Sequence, residues 1–311
     1  MTDLLLIAPS LWGIGDLLRP LPEGVTMLDV GSVDELPPGD LDAEVLIAMP
    51  IALRPGIIER MPNLRWIQAL SAGVDAFASL GVPDHVVMTT ARGAHVPQMA
   101  ELVLTMMLSL VNDLPSLIDA QRAKRWHPRQ RGTLSKRHVA ILGVGAIGRG
   151  VATRCKAFDM RVTGLSSVVT EAEGFDEIRP VEALAEVAAE ADHLVILTPY
   201  SERTHEIVSA EVIAAMKPDA FLINAARGKV VDEAALIDAL AARRIGGAGL
   251  DVFATEPLPP ESPLWSMDNV LATPHMGGWS VDFPVQVAPI VRENLARWFG
   301  DPKRELINPA Y

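Results

Sequence analysis

The chain is poor in cysteine, in aromatic residues, in positive charge and in long apolar runs, and most of these shortages exclude something. Of 311 residues only Cys155 is a cysteine. It can form neither an intrachain disulfide nor a thiolate metal cluster, which fits a reducing compartment. Lysine and arginine number 27 against 39 aspartates and glutamates, a formal charge of −12. An acidic surface repels phosphate backbones and anionic bilayers, so neither nucleic acid nor a membrane is expected as a partner. The run Leu4-Leu5-Leu6-Ile7-Ala8 is too short for the apolar core of a signal peptide, and it follows Asp3 rather than a basic stretch. No segment approaches the roughly 20 continuous apolar residues of a membrane helix. A cytoplasmic protein is expected. Apolar material itself is plentiful: 49% hydrophobic residues exclude disorder, and the length suits about two domains.

Short apolar runs recur along the first hundred residues, and each ends near Gly, Pro, Ser or Asp. They predict strands at Leu4–Ala8, Val25–Val30, Val45–Ala48, Trp66–Leu70 and Val86–Thr89. A long apolar helix is expected from Gln98 to Leu114, stopped by Pro115, followed by a solvated basic connector over Gln121–Lys136 that contains Trp126 and His127. A second alternation then predicts strands Val139–Leu142, Arg161–Leu165, Leu194–Leu197, Ala220–Asn224 and Gly247–Val252. Its helices are Ile147–Phe158, Val181–Ala189, Ala210–Met216 and Asp232–Ala242, with a closing helix Val285–Phe299. Strands alternating with helices argue for parallel sheets covered on both faces. The expected fold is α/β: two doubly wound, Rossmann-like parallel-sheet domains with a cleft between them. One comprises 1–93 plus 282–311, and the other spans 94–281.

Three segments carry chemistry. Strand Val139–Leu142 runs into Gly143-Val144-Gly145-Ala146-Ile147-Gly148, a G-x-G-x-x-G between strand and helix. The first glycine permits the tight turn, the second lets a pyrophosphate approach the backbone, and the third lets helix and strand pack closely. Asn224-Ala225-Ala226-Arg227-Gly228 closes a buried-type strand, where a guanidinium fork suits a carboxylate. Asp251 and Glu256 lie just past another strand end, and His275 stands in the loop Thr273-Pro274-His275-Met276-Gly277-Gly278. A histidine titrating near neutrality can give or take a proton, and a carboxylate beside it would hold the ring. Taken singly, each of these residues is more often a surface or loop-stabilising group. The combination is far less common by chance. Asp232 reads as a helix N-cap. His85, His127, His138, His193 and His205 show no metal-ligand spacing, and no metal site is expected.

Together these segments resemble the D-isomer-specific 2-hydroxyacid dehydrogenases, over nearly the whole chain and most strongly from Val139 to Trp279. The resemblance implies catalytic roles for Arg227, Glu256 and His275, matching the family's A-R-G, D-V-F-x-x-E-P and T-P-H-x-G-G segments. It implies a nicotinamide dinucleotide held by Gly143, Gly145, Ala146, Ile147, Gly148, Ser166, Thr198, Pro199, Ala225, Ala226, Asp251, His275 and Gly277, with Asp251 orienting the carboxamide. The loop Ser71-Ala72-Gly73-Val74-Asp75 matches the segment whose backbone amides, here Ala72 and Gly73, hold the substrate carboxylate, together with Arg227 and His275. The implied reaction is reduction of a small 2-oxo acid to the D-2-hydroxy acid, or the reverse, in a homodimer built on the long helix and its arm. Glyoxylate or hydroxypyruvate is the first substrate expected. Met49, His95 and Trp279 suggest a small or moderately apolar acid, and no basic cluster suits a phosphorylated one.

Three positions depart from the family pattern: His95 replaces a frequent Asn, Ala146 a frequent Arg, and Ser166 the acidic residue of NAD-preferring members. With no carboxylate at Ser166 to repel a 2′-phosphate, NADP(H) is favoured over NAD(H), though both forms are expected to work. Other readings are a phosphite, formate or 3-phosphoglycerate dehydrogenase, and a dinucleotide-sensing corepressor. Formate enzymes pair their His with Gln, so Glu256 argues against that one.

Overall fold

The computed structural model describes residues 3–300 and 304–310, apart from 75, 76, 78 and 79. The chain forms two compact units, Met1–His95 with Ser280–Tyr311, and Val96–Trp279. The chain passes from one unit to the other after His95 and after Trp279. The fold class is the expected one, two parallel-sheet α/β units.

In the first unit, β1 (Leu4–Ile7), β2 (Met27–Val30), β3 (Val45–Ala48), β4 (Trp66–Ala69) and β5 (Val87–Thr89) form a parallel sheet in the order β2-β1-β3-β4-β5. A short helix α1 (Ile14–Leu17) follows β1. Strands such as Leu-Leu-Leu-Ile and Val-Leu-Ile-Ala are apolar without interruption because both faces are covered. Side chains alternate across the pleat: Leu4 and Leu6 enter one core layer, Leu5 and Ile7 the other. Helix α8 (Phe283–Phe299) belongs to this unit and supplies Phe283, Val287, Val291 and Leu295 to the first of those layers. A buried polar chain ties it in. Gln68 Oε1 accepts from Thr89 Oγ1 and from Asn294 Nδ2, each at 2.8 Å, and Asn294 Oδ1 accepts from Ile307 N–H at 2.8 Å.

The second unit begins with α2 (Val96–Val111) and α3 (Leu114–Arg122). Pro115 does not stop a helix, as the sequence suggested; it lies in the first turn of α3, where its missing N–H would have had no intrahelical partner. The basic connector is correspondingly shorter at its start, because Gln121 and Arg122 are still helical. The remaining elements are β6 (His138–Leu142), α4 (Ala146–Ala157), β7 (Arg161–Leu165), β8 (Glu177–Arg179), α5 (Leu184–Glu190), β9 (His193–Ile196), α6 (Ala210–Ala215), β10 (Phe221–Asn224), α7 (Glu233–Ala241), β11 (Gly247–Leu250) and β12 (Val270–Ala272). The parallel sheet has the order β12-β11-β10-β9-β6-β7-β8. Strands β8 and β12, three residues each, were not expected from the sequence. Small residues set the packing distance. A Cβ on Gly150 of α4 would come within 2.5 Å of Val96, and one on Gly249 of β11 within 2.9 Å of Met106, so α2 lies directly on both elements. Among the described residues, no single helix is long and apolar enough to cross a membrane.

Burial decides the state of two histidines and the cysteine. Desolvation pushes the Cys155 thiol up to about 12, so it stays an inert apolar group. Desolvation lowers His95 and His193 to about 4 each, from an ordinary value of 6.5. His193 stacks on Phe221 with its Nδ1 unpartnered among the described residues. An unfolded chain binds a proton there near pH 6.5, and the folded one only near pH 4. Stability is therefore unaffected above that window and falls as pH drops through it. In His193→Phe, which keeps the stack, the fall in Tm between about pH 7 and pH 4.5 should be smaller than in the parent by a few degrees. Calorimetry showing equal falls would contradict this account.

Candidate active site

Because every strand of the second sheet is parallel, all its carboxyl ends lie on one edge, where ligands of open α/β sheets bind. The residues singled out from the sequence follow one another along that edge. His275 comes after β12, Asp251 and Glu256 after β11, Arg227 with Ala225 and Ala226 after β10, Thr198 and Pro199 after β9, the glycine loop after β6, and Ser166 after β7.

His275 Nδ1 and Glu256 Oε2 are 2.6 Å apart, and the two side chains are partly exposed. Glu256 is steadied by its own loop, since its Oε1 accepts from Phe253 N–H at 3.0 Å. His275 has φ +50, a left-handed conformation that a side chain rarely adopts. Asp251, almost fully buried, holds it there. The Asp251 carboxylate accepts from Thr273 Oγ1 at 2.6 Å, Met276 N–H at 3.0 Å and Gly277 N–H at 2.9 Å, and its carbonyl accepts from His275 N–H at 2.8 Å. The sequence suggested Asp251 as a cofactor contact; anchoring of the His275 loop was missed, although Thr273 was visible in the same motif. Gly277 is required beside it, because a Cβ there would meet Asp251 Oδ2 at 2.8 Å.

Arg227 stands in extended backbone just past β10. Buried Asn224 staples its loop from both ends, accepting from Ala226 N–H and donating to the Arg227 carbonyl, each at 3.1 Å. Arg227 Nη1 donates to the Ala226 carbonyl at 2.7 Å. A Cβ on Gly228 would lie 1.8 Å from the Phe253 carbonyl carbon, so the Arg227 loop meets the loop of Glu256 backbone against backbone.

The glycine loop fits a dinucleotide. Gly143 has φ +112, and a Cβ on it would be 2.8 Å from Leu197 C and Thr198 N, so the exit of β9 abuts the loop. A Cβ on Gly148 would be 2.1 Å from the Gly143 carbonyl oxygen, whereas one on Gly145 would meet nothing within 4 Å. Two glycines are thus demanded by the protein, and the third keeps a space open. Gly145 caps α4 without a side chain, so the amides at the start of that helix are not taken by a capping side chain. Pro199 is held by Thr204, whose hydroxyl donates to its carbonyl at 2.8 Å. Ser166 Oγ accepts from Val168 and Val169 N–H, which leaves its hydroxyl hydrogen to donate.

Asp232 caps α7, accepting from Ala235 N–H at 2.9 Å. His95 is buried against Phe283, with ring centroids 4.7 Å apart. Trp279 is exposed on the His275 loop. In the first unit, Ser71 Oγ donates to the Gly73 carbonyl at 2.6 Å, and among the described residues the Ala72 and Gly73 amides have no backbone partner. Asp75 lies outside the described residues. Among the described residues, no group of three or more His, Cys, Asp and Glu is placed to hold a metal.

A glycine loop opening a helix, with a carboxylate–histidine pair at the far strand ends of the same sheet, defines a dinucleotide-dependent oxidoreductase. Residues 104–277 match the family described as D-isomer specific 2-hydroxyacid dehydrogenase, NAD binding domain, and the chain belongs to that family. It is an NAD(P)-dependent enzyme of 2-hydroxy and 2-oxo acids. The glyoxylate/hydroxypyruvate reductase B of Pectobacterium carotovorum subsp. carotovorum is 33% identical over 94% of this chain and 95% of its own. A solved family protein from Aeromonas salmonicida subsp. salmonicida shares 32% identity with a TM-score of 0.91, covering 100% of this chain and 99% of its own. A D-isomer specific 2-hydroxyacid dehydrogenase from Xanthobacter autotrophicus, solved with NADPH and MES, shares 33% identity with a TM-score of 0.85, covering 100% and 98%.

The glycines separate fold from ligand. Gly145→Ala should leave Tm near wild type, because the added methyl meets no protein atom, and should weaken dinucleotide binding about tenfold, or 1.4 kcal/mol. Gly148→Ala should lower Tm as well. Calorimetry and titration with the dinucleotide would read both, and unchanged binding in Gly145→Ala would contradict the assignment.

Proposed function

We propose that Arg227, Glu256 and His275 are the catalytic side chains of a reductase that converts glyoxylate, hydroxypyruvate or a closely similar 2-oxo acid to the D-2-hydroxy acid. The observation that carries this reading is the 2.6 Å contact of His275 Nδ1 with Glu256 Oε2, on strand ends next to that of Arg227. With Nδ1–H committed to the carboxylate, Nε2 is the ring nitrogen left for substrate. When bound, the nicotinamide supplies the hydride for C2. Arg227 binds the acid's carboxylate and polarises the C2 carbonyl, and its bond to the Ala226 carbonyl pre-orients the fork. His275 donates a proton from Nε2 to the developing alkoxide, and Glu256 compensates the ring's charge while it holds that proton. In the oxidative direction Nε2 takes the proton back. In the unit Met1–His95 with Ser280–Tyr311, the Ala72 and Gly73 amides are donors for a carboxylate, and this unit is the substrate-binding domain. The identity with the Pectobacterium reductase over nearly full length supports the substrate class.

The unit Val96–Trp279 binds the dinucleotide through Gly143, Gly145, Ala146, Ile147, Gly148, Ser166, Thr198, Pro199, Ala225, Ala226, Asp251, His275 and Gly277. NADPH is the favoured form. Ser166 offers a hydroxyl where a carboxylate would repel a 2′-phosphate. Arg161 lies at the far end of β7 and pairs with Glu177 and Glu190, but Arg179 stands beside the right end, its carbonyl accepting from Ser166 N–H at 3.1 Å. Glu177 and Glu186 share that guanidinium, so the preference is modest. The enzyme is a cytoplasmic homodimer; Leu114 and Ile118 on α3 and the almost fully exposed Trp126 support an interface on that arm. A monomer by sedimentation at micromolar concentration would contradict it.

His275→Asn should lower kcat about 10²–10⁴-fold and leave dinucleotide affinity near wild type, since the ring acts on charge that develops only in the transition state. An unchanged kcat would remove His275 from the mechanism. In steady-state assays of glyoxylate, hydroxypyruvate and a phosphorylated 2-oxo acid, the two small acids should be preferred and NADPH should exceed NADH by less than about tenfold in kcat/KM. Ser166→Asp should move the ratio towards NADH. Preference for the phosphorylated acid, or for NADH by more than tenfold, would overturn the corresponding assignment.

A further inference from the structure

We infer that Glu233 is a positioning residue for this reaction: it fixes the loop that carries Glu256 and thereby sets the Glu256–His275 pair. The inference rests on the catalytic roles proposed above for those two residues. Glu233 Oε2 accepts from Ala254 N–H at 2.8 Å, and Glu256 Oε1 accepts from the preceding amide, Phe253 N–H, at 3.0 Å. Two carboxylates therefore take successive amides of one loop. The second oxygen of Glu256 is the one that meets His275, at 2.6 Å. Any drift of residues 253–254 passes directly to the imidazole, through two hydrogen bonds and no flexible spacer.

Glu233 is suited to hold that loop because the helix end that carries it is held. It is the first residue of α7, and its neighbour Asp232 caps the helix through Ala235 N–H while donating its own N–H to the Val208 carbonyl at 3.1 Å. Since Asp232 does the capping, Glu233 is free to reach out of the helix to residue 254, 21 positions along the chain. A carboxylate at a helix N-terminus is also favoured by the helix dipole alone. That bland role asks for a negative charge and not for reach. The contact lies where reach matters, at the approach of Gly228 to Phe253 and Ala254, the latter's N being 2.3 Å from a Cβ built on Gly228. Glu233 closes that approach from the helix side and keeps the loops of Arg227 and Glu256 in a common register.

Reach and charge are separable by substitution. Glu233→Gln keeps a carbonyl oxygen at the same distance but loses the charge, whereas Glu233→Asp keeps the charge and falls one methylene short. Positioning predicts that Gln retains most of kcat. It predicts that Asp and Ala lose about 10- to 100-fold in kcat, the scale of an ångström of misplacement, with KM for the dinucleotide and Tm near wild type. In a Glu256→Ala background, Glu233→Asp should then cost little more, because it acts through the residue already removed. Wild-type kcat in Glu233→Asp, a Gln variant no better than Asp, or a full additional loss in the Glu256→Ala background would overturn the inference. Should Glu256→Ala and His275→Asn themselves keep wild-type kcat, the catalytic assignment would fail instead. The two failures are thus told apart.

Discussion

The Asp251 carboxylate, buried at the end of β11, is the interaction on which the rest of the candidate site depends. It receives three hydrogen bonds from the segment 273–277, and its carbonyl receives a fourth from His275. Hydrogen bonds to a charged group contribute about 1.5–3 kcal/mol each, and a non-glycine residue in the left-handed region costs about 1–3 kcal/mol. The bonds to the carboxylate therefore outweigh the conformational cost of His275 at φ +50. Without them the histidine would relax to ordinary backbone and its ring would leave the carboxylate of Glu256. A buried anion is costly unless its acceptor sites are filled, so the same three donors that shape the loop also make Asp251 tolerable.

The sheet supplies the frame for this anchor. In β6, Val139 and Ile141 enter one layer of the core, and Ala140 and Leu142 the other. A slip of one residue would exchange the two layers and lift every strand end out of register. The site is assembled from the ends of neighbouring strands. Close approaches lock its loops together: Gly228 against the Phe253–Ala254 backbone, Gly143 against Leu197–Thr198, and Gly148 against Gly143. At each of these a methyl group would force two backbone segments apart.

Much of this was legible in the sequence because it is local. The runs Leu4–Ala8, Val45–Ala48 and Val139–Leu142 read as strands, since a parallel sheet buries both faces and leaves no polar alternation. The glycine loop, Arg227, Glu256 and His275 were visible as motifs. What escaped is non-local. Strand β8, Glu-Ile-Arg, lies on the sheet edge with no apolar run to mark it, and Arg179 was missed with it. Pro115 was read as a stop because nothing local distinguishes the end of one helix from the first turn of the next. The contact of buried His95 with Phe283, far along the chain, has no local signature. Glu233 stood one place after a recognised cap, and its partner lies in another loop.

The polar chain from Gln68 through Asn294 to Ile307 also bears on the order of events at the ribosome. The first unit is discontinuous, and Val96–Trp279 is synthesised between its two parts. At elongation rates of about 5–20 residues per second, Gln68 has emerged roughly ten seconds or more before Asn294 can reach it. During that interval its carbonyl lacks one of its two donors, and the core layer that receives Val287 and Val291 stands open. A nascent chain therefore carries an unfinished five-stranded sheet throughout that interval, and that is when a chaperone would find apolar surface to hold.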